Sequence, residues 1–340
     1  MNAREARGVA VAAALFLLVQ VGALAMVGPF ETAGYQAVED PSDPTNSLVY
    51  FAAILVATGV MLAAFKYAFE QAIRAVVVLS SALVSWYVFA VVAPPLLVVG
   101  SINVLAVALS VGVAIALLGY PEWYVIDGAG VIMGIGAGAL FGISFGLLPA
   151  IVLLTVLAVY DAVSVYGTRH MLSLAEGVMD LRVPVILVVP LTLSYSLRDD
   201  DFGGANEVHE DEAVADEDDP PAATDEEGDG GGGDGADPER DAFFIGLGDA
   251  VMPTVMVASG AFFSPAPSLG VAGLPALNLP ALLAMVGTFL GLGVLLWAVM
   301  KGRAHAGLPL LNGGAIGGYL LGSVLAGVSV IQALGLAPYL

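Results

Sequence analysis

The chain contains no cysteine. That absence excludes a disulfide framework, a thiolate nucleophile and a cysteine-ligated metal site. Histidine is almost missing as well: His170, His209 and His305 are scattered and offer no metal-ligand spacing. No metal or cofactor is therefore expected. Charge is scarce, at 12% of 340 residues, against about 25% in soluble proteins. So few polar groups cannot cover the surface of a water-soluble enzyme. Hydrophobic residues make up 59% of the chain, which excludes disorder for most of it.

Yet the formal net charge is −21, and position resolves the conflict. Residues 199–241 hold 19 of the 31 acidic residues and one basic residue, Arg240. That stretch is rich in Asp, Glu and Gly and has almost no large apolar groups. It buries too little surface to offset its ordering entropy, so it is expected to be a disordered loop. Its composition would suit a high-salt host, where screening shortens charge repulsion.

The remainder reads as membrane protein. A hydrocarbon core of about 30 Å takes about 20 apolar residues per helix. Nine segments qualify: 8–28, 47–66, 75–93, 96–118, 126–146, 148–167, 243–263, 278–300 and 308–328. The run at 183–197 is interrupted by Pro190 and is expected to be an interfacial or short amphipathic element. Residues 169–182 read as an amphipathic interfacial helix. The first segment is kept as an uncleaved helix, because its apolar run is long for a signal peptide.

Nine spans place all ten basic residues on one side. Arg4 and Arg7 precede the first span, and Lys66 and Arg74 follow the second. Arg169, Arg182, Arg198 and Arg240 follow the sixth, and Lys301 and Arg303 the eighth. By the positive-inside rule that side is cytoplasmic. The expected fold is an all-α polytopic membrane protein with nine transmembrane helices, amino terminus cytoplasmic and carboxyl terminus outside. Residues 1–198 would hold helices one to six and the interfacial segment, 199–241 the acidic cytoplasmic loop, and 242–340 helices seven to nine. The expected location is the cell membrane.

Two carboxylates fall deep inside spans: Asp161 in LAVYDAVSVYGT and Asp249 in FFIGLGDAVMPTV. An Asp near the centre of a spanning helix costs about 2.5–3.5 kcal/mol, so each is a candidate functional residue. Each lies seven residues from the cytoplasmic end of its span, about 10 Å deep at helical rise. Two carboxylates facing each other at matched depth do not both ionise readily and share a proton. That state serves peptide hydrolysis, with one carboxylate activating water and the other donating a proton. Depth and charge alone leave two other uses open. The pair could bind a proton or cation in a coupled transporter, or act as polar glue between helices.

Local sequence bears on the choice. Tyr160-Asp161 and Gly246-Leu247-Gly248-Asp249 resemble the YD and GxGD motifs of the presenilin and signal peptide peptidase family of intramembrane aspartyl proteases. The order of the motifs, their consecutive spans and the hydrophilic loop between them strengthen the resemblance. It implies an all-helical bundle that hydrolyses peptide bonds within transmembrane helices of membrane-protein substrates, with Asp161 and Asp249 as the catalytic pair. Gly246 and Gly248 remove side chains beside the carboxylate, so a substrate backbone could approach closely. Tight helix packing is the structural alternative for both.

The family's third motif is Pro-Ala-Leu at the start of the last span. A literal Pro275-Ala276-Leu277 lies between spans seven and eight, on the expected outer side. The positional equivalent is Pro309-Leu310-Leu311, with Leu310 where the family has Ala. Tyr160, Gly246, Leu247, Gly248, Pro309, Leu310 and Leu311 are thus the expected substrate-contacting set. The inside amino terminus and inside loop resemble the presenilin branch. Expected partners are transmembrane-helix substrates and the lipid bilayer, with no nucleic acid and no obligatory protein partner. Asp127, at the cytoplasmic edge of span five, reads as a solvated or helix-N-terminal acid. The glycines of that span read as a packing face.

Overall fold

The computed structural model describes residues 3–67, 69–168, 183–191, 195–197, 242–299 and 306–340. The expected interfacial helix at 169–182 and the acidic loop at 199–241 lie outside the described residues. Helices α1 (Ala3–Thr32), α2 (Thr45–Lys66) and α3 (Glu70–Val92) open the chain. A short hairpin of β1 (Val98–Val99) and β2 (Ile102–Asn103) precedes α4 (Val104–Gly119). Then come α5 (Trp123–Ser144) and α6 (Leu147–Val163), which runs into a π-helical turn at Ser164–Thr168. Strands β3 (Ile186–Pro190) and β4 (Ala242–Gly246) lead to α7 (Leu247–Phe263), α8 (Leu279–Val299), α9 (Gly307–Leu325) and a short α10 (Val330–Ala333).

Among the described residues, seven helices are long and apolar enough to cross a membrane. The apolar α4 and α7 are shorter, at 16 and 17 residues. Large apolar side chains such as Val56, Leu79, Leu290 and Leu325 stand on the outer surface, as a hydrocarbon surround permits.

Four expectations are corrected. The segment 183–197 is not an amphipathic surface element: Ile186–Pro190 is a strand buried along its whole length. Span seven does not start as helix at 243. Its first residues form β4, which pairs antiparallel with β3 from Ile186↔Gly246 to Pro190↔Ala242. The chain is therefore mostly helical and not all-α. The cause is local: ILVV and AFFI are β-branched and aromatic runs that suit a pleated ribbon, and Gly246 ends the second of them. The fourth apolar segment likewise begins as a hairpin turning at Gly100, whose φ is +66°. Asn103 then caps α4 by accepting from the Leu105 amide at 3.1 Å.

α7 is the centre of the bundle, buried from Pro253 to Ala261 and packed by α1, α5, α6, α8 and α9. α8 and α9 pack backbone to backbone. A Cβ on Gly287 would overlap the Gly314 carbonyl, one on Gly314 the Gly287 carbonyl, and one on Gly318 the Leu283 carbonyl. This small-residue seam replaces the hydrophobic effect as the adhesive inside a membrane, and it fixes the height of the first turn of α9. Four buried hydroxyls are satisfied within their own helices: Ser110, Thr254, Thr288 and Ser323 each donate to the carbonyl four residues back.

One end of the bundle is tied shut. The α1–α2 connection is held by Gln36 Nε2 donating to the Ile143 carbonyl and by Ser144 Oγ accepting from the Ala37 amide. Ser259 near the end of α7 donates to the Phe145 carbonyl. Tyr339 near the carboxyl terminus donates to the Ser42 carbonyl. The first turns of α5, α7 and α9 and the last turn of α6 belong to the opposite end.

Candidate active site

Asp161 sits in the last turn of α6 and is 7% exposed. Its Oδ2 accepts the Leu308 amide hydrogen at 3.0 Å, and the Gly307 amide also bonds this carboxylate. These are the first two residues of α9, whose preceding residue, Ala306, has no side-chain cap to offer. A helix start leaves its first amides without intrahelical partners and carries partial positive charge. Asp161 supplies from α6 the cap that the α9 sequence lacks. Tyr166 in the π turn extends the same clasp, its hydroxyl accepting the Ala306 amide at 3.3 Å.

Asp249 lies in the first turn of α7, directly after the ribbon, and is partly accessible. A Cβ built on Gly307 would stand 3.2 Å from Asp249 Oδ2, and one on Gly246 3.5 Å from it. The two carboxylates interact electrostatically. Both thus converge on one point, the Gly307–Leu308 start of α9.

The other expected residues divide. Gly248 is exposed, and among the described residues nothing stands within 4 Å of a Cβ there. Leu247 instead turns into the core, against α5 at Gly130 and Gly134. The Tyr160 ring stacks edge-on against Phe51 of α2, centroids 5.9 Å apart. Pro309 and Leu310 are half-buried in the first turn of α9, and Leu311 is fully buried. Pro309 loses no hydrogen bond there, since a first-turn residue has no partner for its amide. The literal Pro275-Ala276-Leu277 lies beyond the far end of α7, about 20 Å from Asp249 at helical rise. There Pro275 accepts from the Ser268 hydroxyl at 2.7 Å.

Three residues of this region carried no signal that composition or motif could flag. Gly307 touches the pair, Tyr166 bonds the neighbouring Ala306 amide, and Asn312, one turn further along α9, donates to the Leu154 carbonyl of α6 at 3.0 Å. Among the described residues no group of His, Cys, Asp and Glu could hold a metal ion.

An apolar helical bundle with two carboxylates meeting inside it defines a class, the multi-pass integral membrane protein with a paired-aspartate site. The family profile described as signal-peptide peptidase, presenilin aspartyl protease matches residues 13–328. The chain belongs to that family and is an intramembrane aspartyl protease. It is similar to a presenilin family intramembrane aspartate protease solved in space group C222. The two share 30% identity over 93% of this chain and 99% of that one, with a TM-score of 0.60. A presenilin family intramembrane aspartate protease solved in space group P2 is also 30% identical, over 92% of this chain and 96% of that one, with a TM-score of 0.56. Comparison with curated proteins finds no match. Neither the family nor these structures supports the transporter alternative.

Proposed function

We propose that Asp161 and Asp249 are the catalytic pair of this protease and cleave peptide bonds within membrane-spanning helices. The observation that carries this reading is the convergence of both carboxylates on the first turn of α9. The α9 amides and helix start favour a charged carboxylate at Asp161. The proton shared by the pair then rests on Asp249. A water between them attacks the scissile carbonyl carbon as Asp161 takes its proton and Asp249 donates to the carbonyl oxygen. Asp161 then passes its proton to the amide nitrogen while Asp249 takes back a hydroxyl proton of the gem-diol, and the C–N bond breaks to give a carboxylic acid and an amine, with the pair returned to its starting state. Gly246, Gly248 and Gly307 leave room for the substrate backbone, with Pro309 and Leu310 beside it.

The same reading holds nine spans, with α4 and α7 as the two short ones. The site end carries the amino terminus of α1 with Arg4 and Arg7, which supports reading that end as the cytoplasmic one. Substrates then enter with their amino terminus outside. Cleavage of a spanning-helix substrate in proteoliposomes tests the pair. Asp161→Ala and Asp249→Ala should each remove cleavage, and turnover in either variant would refute the assignment. Protease digestion of 199–241 in sealed inverted vesicles tests the orientation; protection there would reverse it.

A further inference from the structure

A third carboxylate inside the bundle has a different task. Asp127 lies in the second turn of α5 and is 5% exposed, not the solvated edge acid that its place in the sequence indicates. Its Oδ1 accepts the Val188 amide hydrogen of β3 at 2.7 Å. Strand parity explains the geometry. The Leu247 amide donates to the Val185 carbonyl at 2.8 Å, so 185, 187 and 189 face the partner strand while 186, 188 and 190 face outward. Val188 therefore presents its amide away from β4, in a fully buried strand, and Asp127 receives it. Pro190, which has no amide hydrogen, occupies another outward position.

α5 is shaped to seat this ribbon. Asp127, Gly130 and Gly134 lie on one helix face. A Cβ on Gly130 would stand 3.1 Å from Leu187 and 3.8 Å from Leu247, and one on Gly134 3.6 Å from Leu247. Glu122, just before α5, holds the following segment: its carboxylate accepts the Ser196 hydroxyl at 3.1 Å and the Leu197 amide at 3.2 Å. β4 then runs without a break into α7, and Asp249 comes two residues after Leu247.

We propose that Asp127 is a positioning residue for the active site. By holding Val188 it fixes the β3–β4 ribbon, and the ribbon sets where Asp249 stands in the pair. This rests on the assignment of Asp249 to catalysis.

The test compares Asp127→Ala, which removes the acceptor, with Asp127→Asn, which keeps an acceptor oxygen. Two quantities are measured in proteoliposomes: substrate cleavage, and amide hydrogen exchange across 242–250. Asp127→Ala should lower kcat about 10- to 100-fold with KM within about twofold, and should speed exchange in that segment. Asp127→Asn should keep kcat within about threefold and exchange near wild type. Wild-type kcat in Asp127→Ala overturns the proposal. So does an Asp127→Asn variant as impaired as Asp127→Ala, because the acceptor would then not be what matters. If Asp127→Ala does not accumulate, Asp127→Leu fills the volume, removes the same acceptor and carries the same predictions. Cleavage by Asp249→Ala would sink the catalytic assignment instead. The exchange measurement remains decisive for the tether in that case, since unchanged exchange in Asp127→Ala refutes it.

Discussion

Gly307 is the most exacting point of the site, because it faces both carboxylates. Its amide bonds Asp161, and a Cβ there would lie 3.2 Å from Asp249 Oδ2 and 3.3 Å from Leu295 Cδ2. Comfortable contact begins near ~3.5 Å, so in Gly307→Ala the carboxylate shifts by about 0.3 Å. A misplacement of about 1 Å costs about 100-fold in rate, so a third of that displacement corresponds to about fivefold. Gly307→Val, with two more methyl groups in the same space, should cost about 100-fold or more. Gly307 lies outside the left-handed region, so the unfolded-chain gain of about 0.4–1 kcal/mol for Gly307→Ala is offset by the two close contacts, and Tm should change little. The assay is initial cleavage rate in proteoliposomes, paired with thermal unfolding. A folded Gly307→Val variant that cleaves at the wild-type rate would refute the placement of the site at the start of α9.

Other consequences follow from the same geometry. Gly287→Ala and Gly314→Ala each drive a methyl into a backbone carbonyl across the α8–α9 seam. Each should destabilise by about 1–3 kcal/mol and lower cleavage by lifting α9, as read by Tm and rate together. Pro309→Ala should reduce cleavage while Pro275→Ala leaves it unchanged, and the reverse result would move the Pro-Leu-Leu role away from α9. Asp43, at the mouth of α2, is held below the usual carboxylate range by hydrogen bonds from the Thr45 hydroxyl and amide. A depressed group contributes its stabilisation above the ordinary carboxylate pKa and loses it as pH falls through the lower folded value. The protection factor of the Thr45 amide, which bonds the Asp43 carboxylate, should accordingly fall in acid, and Asp43→Ala should show that lower protection at neutral pH.

Much of the architecture was legible because membrane spans announce themselves by length and hydropathy. The apolar segments at 126–146, 148–167 and 278–300 fall on α5, α6 and α8 within a few residues. What failed was non-local. β3 and β4 pair across more than fifty intervening residues, and neither run has a partner visible along the sequence. ILVV therefore looked like an interfacial element and AFFI like the start of a helix. Asp127 was misplaced for the same reason, since its partner Val188 belongs to the strand that was not foreseen. The aspartates stood out because charge inside a span is costly. Gly307 and Tyr166 bear no charge, and only the approach of α9 to α6 gives them a part.

The central claim is that Asp161 and Asp249 act as one unit, and single and double substitution measures it most directly. Initial cleavage rates of a spanning-helix substrate are compared for Asp161→Asn, Asp249→Asn and the double variant, each checked for wild-type Tm. Residues that act as a unit lose nearly everything with the first substitution. Each single variant should therefore fall as far as the double one. Substantial turnover in either single variant, or losses that multiply in the double, would contradict a shared-proton pair.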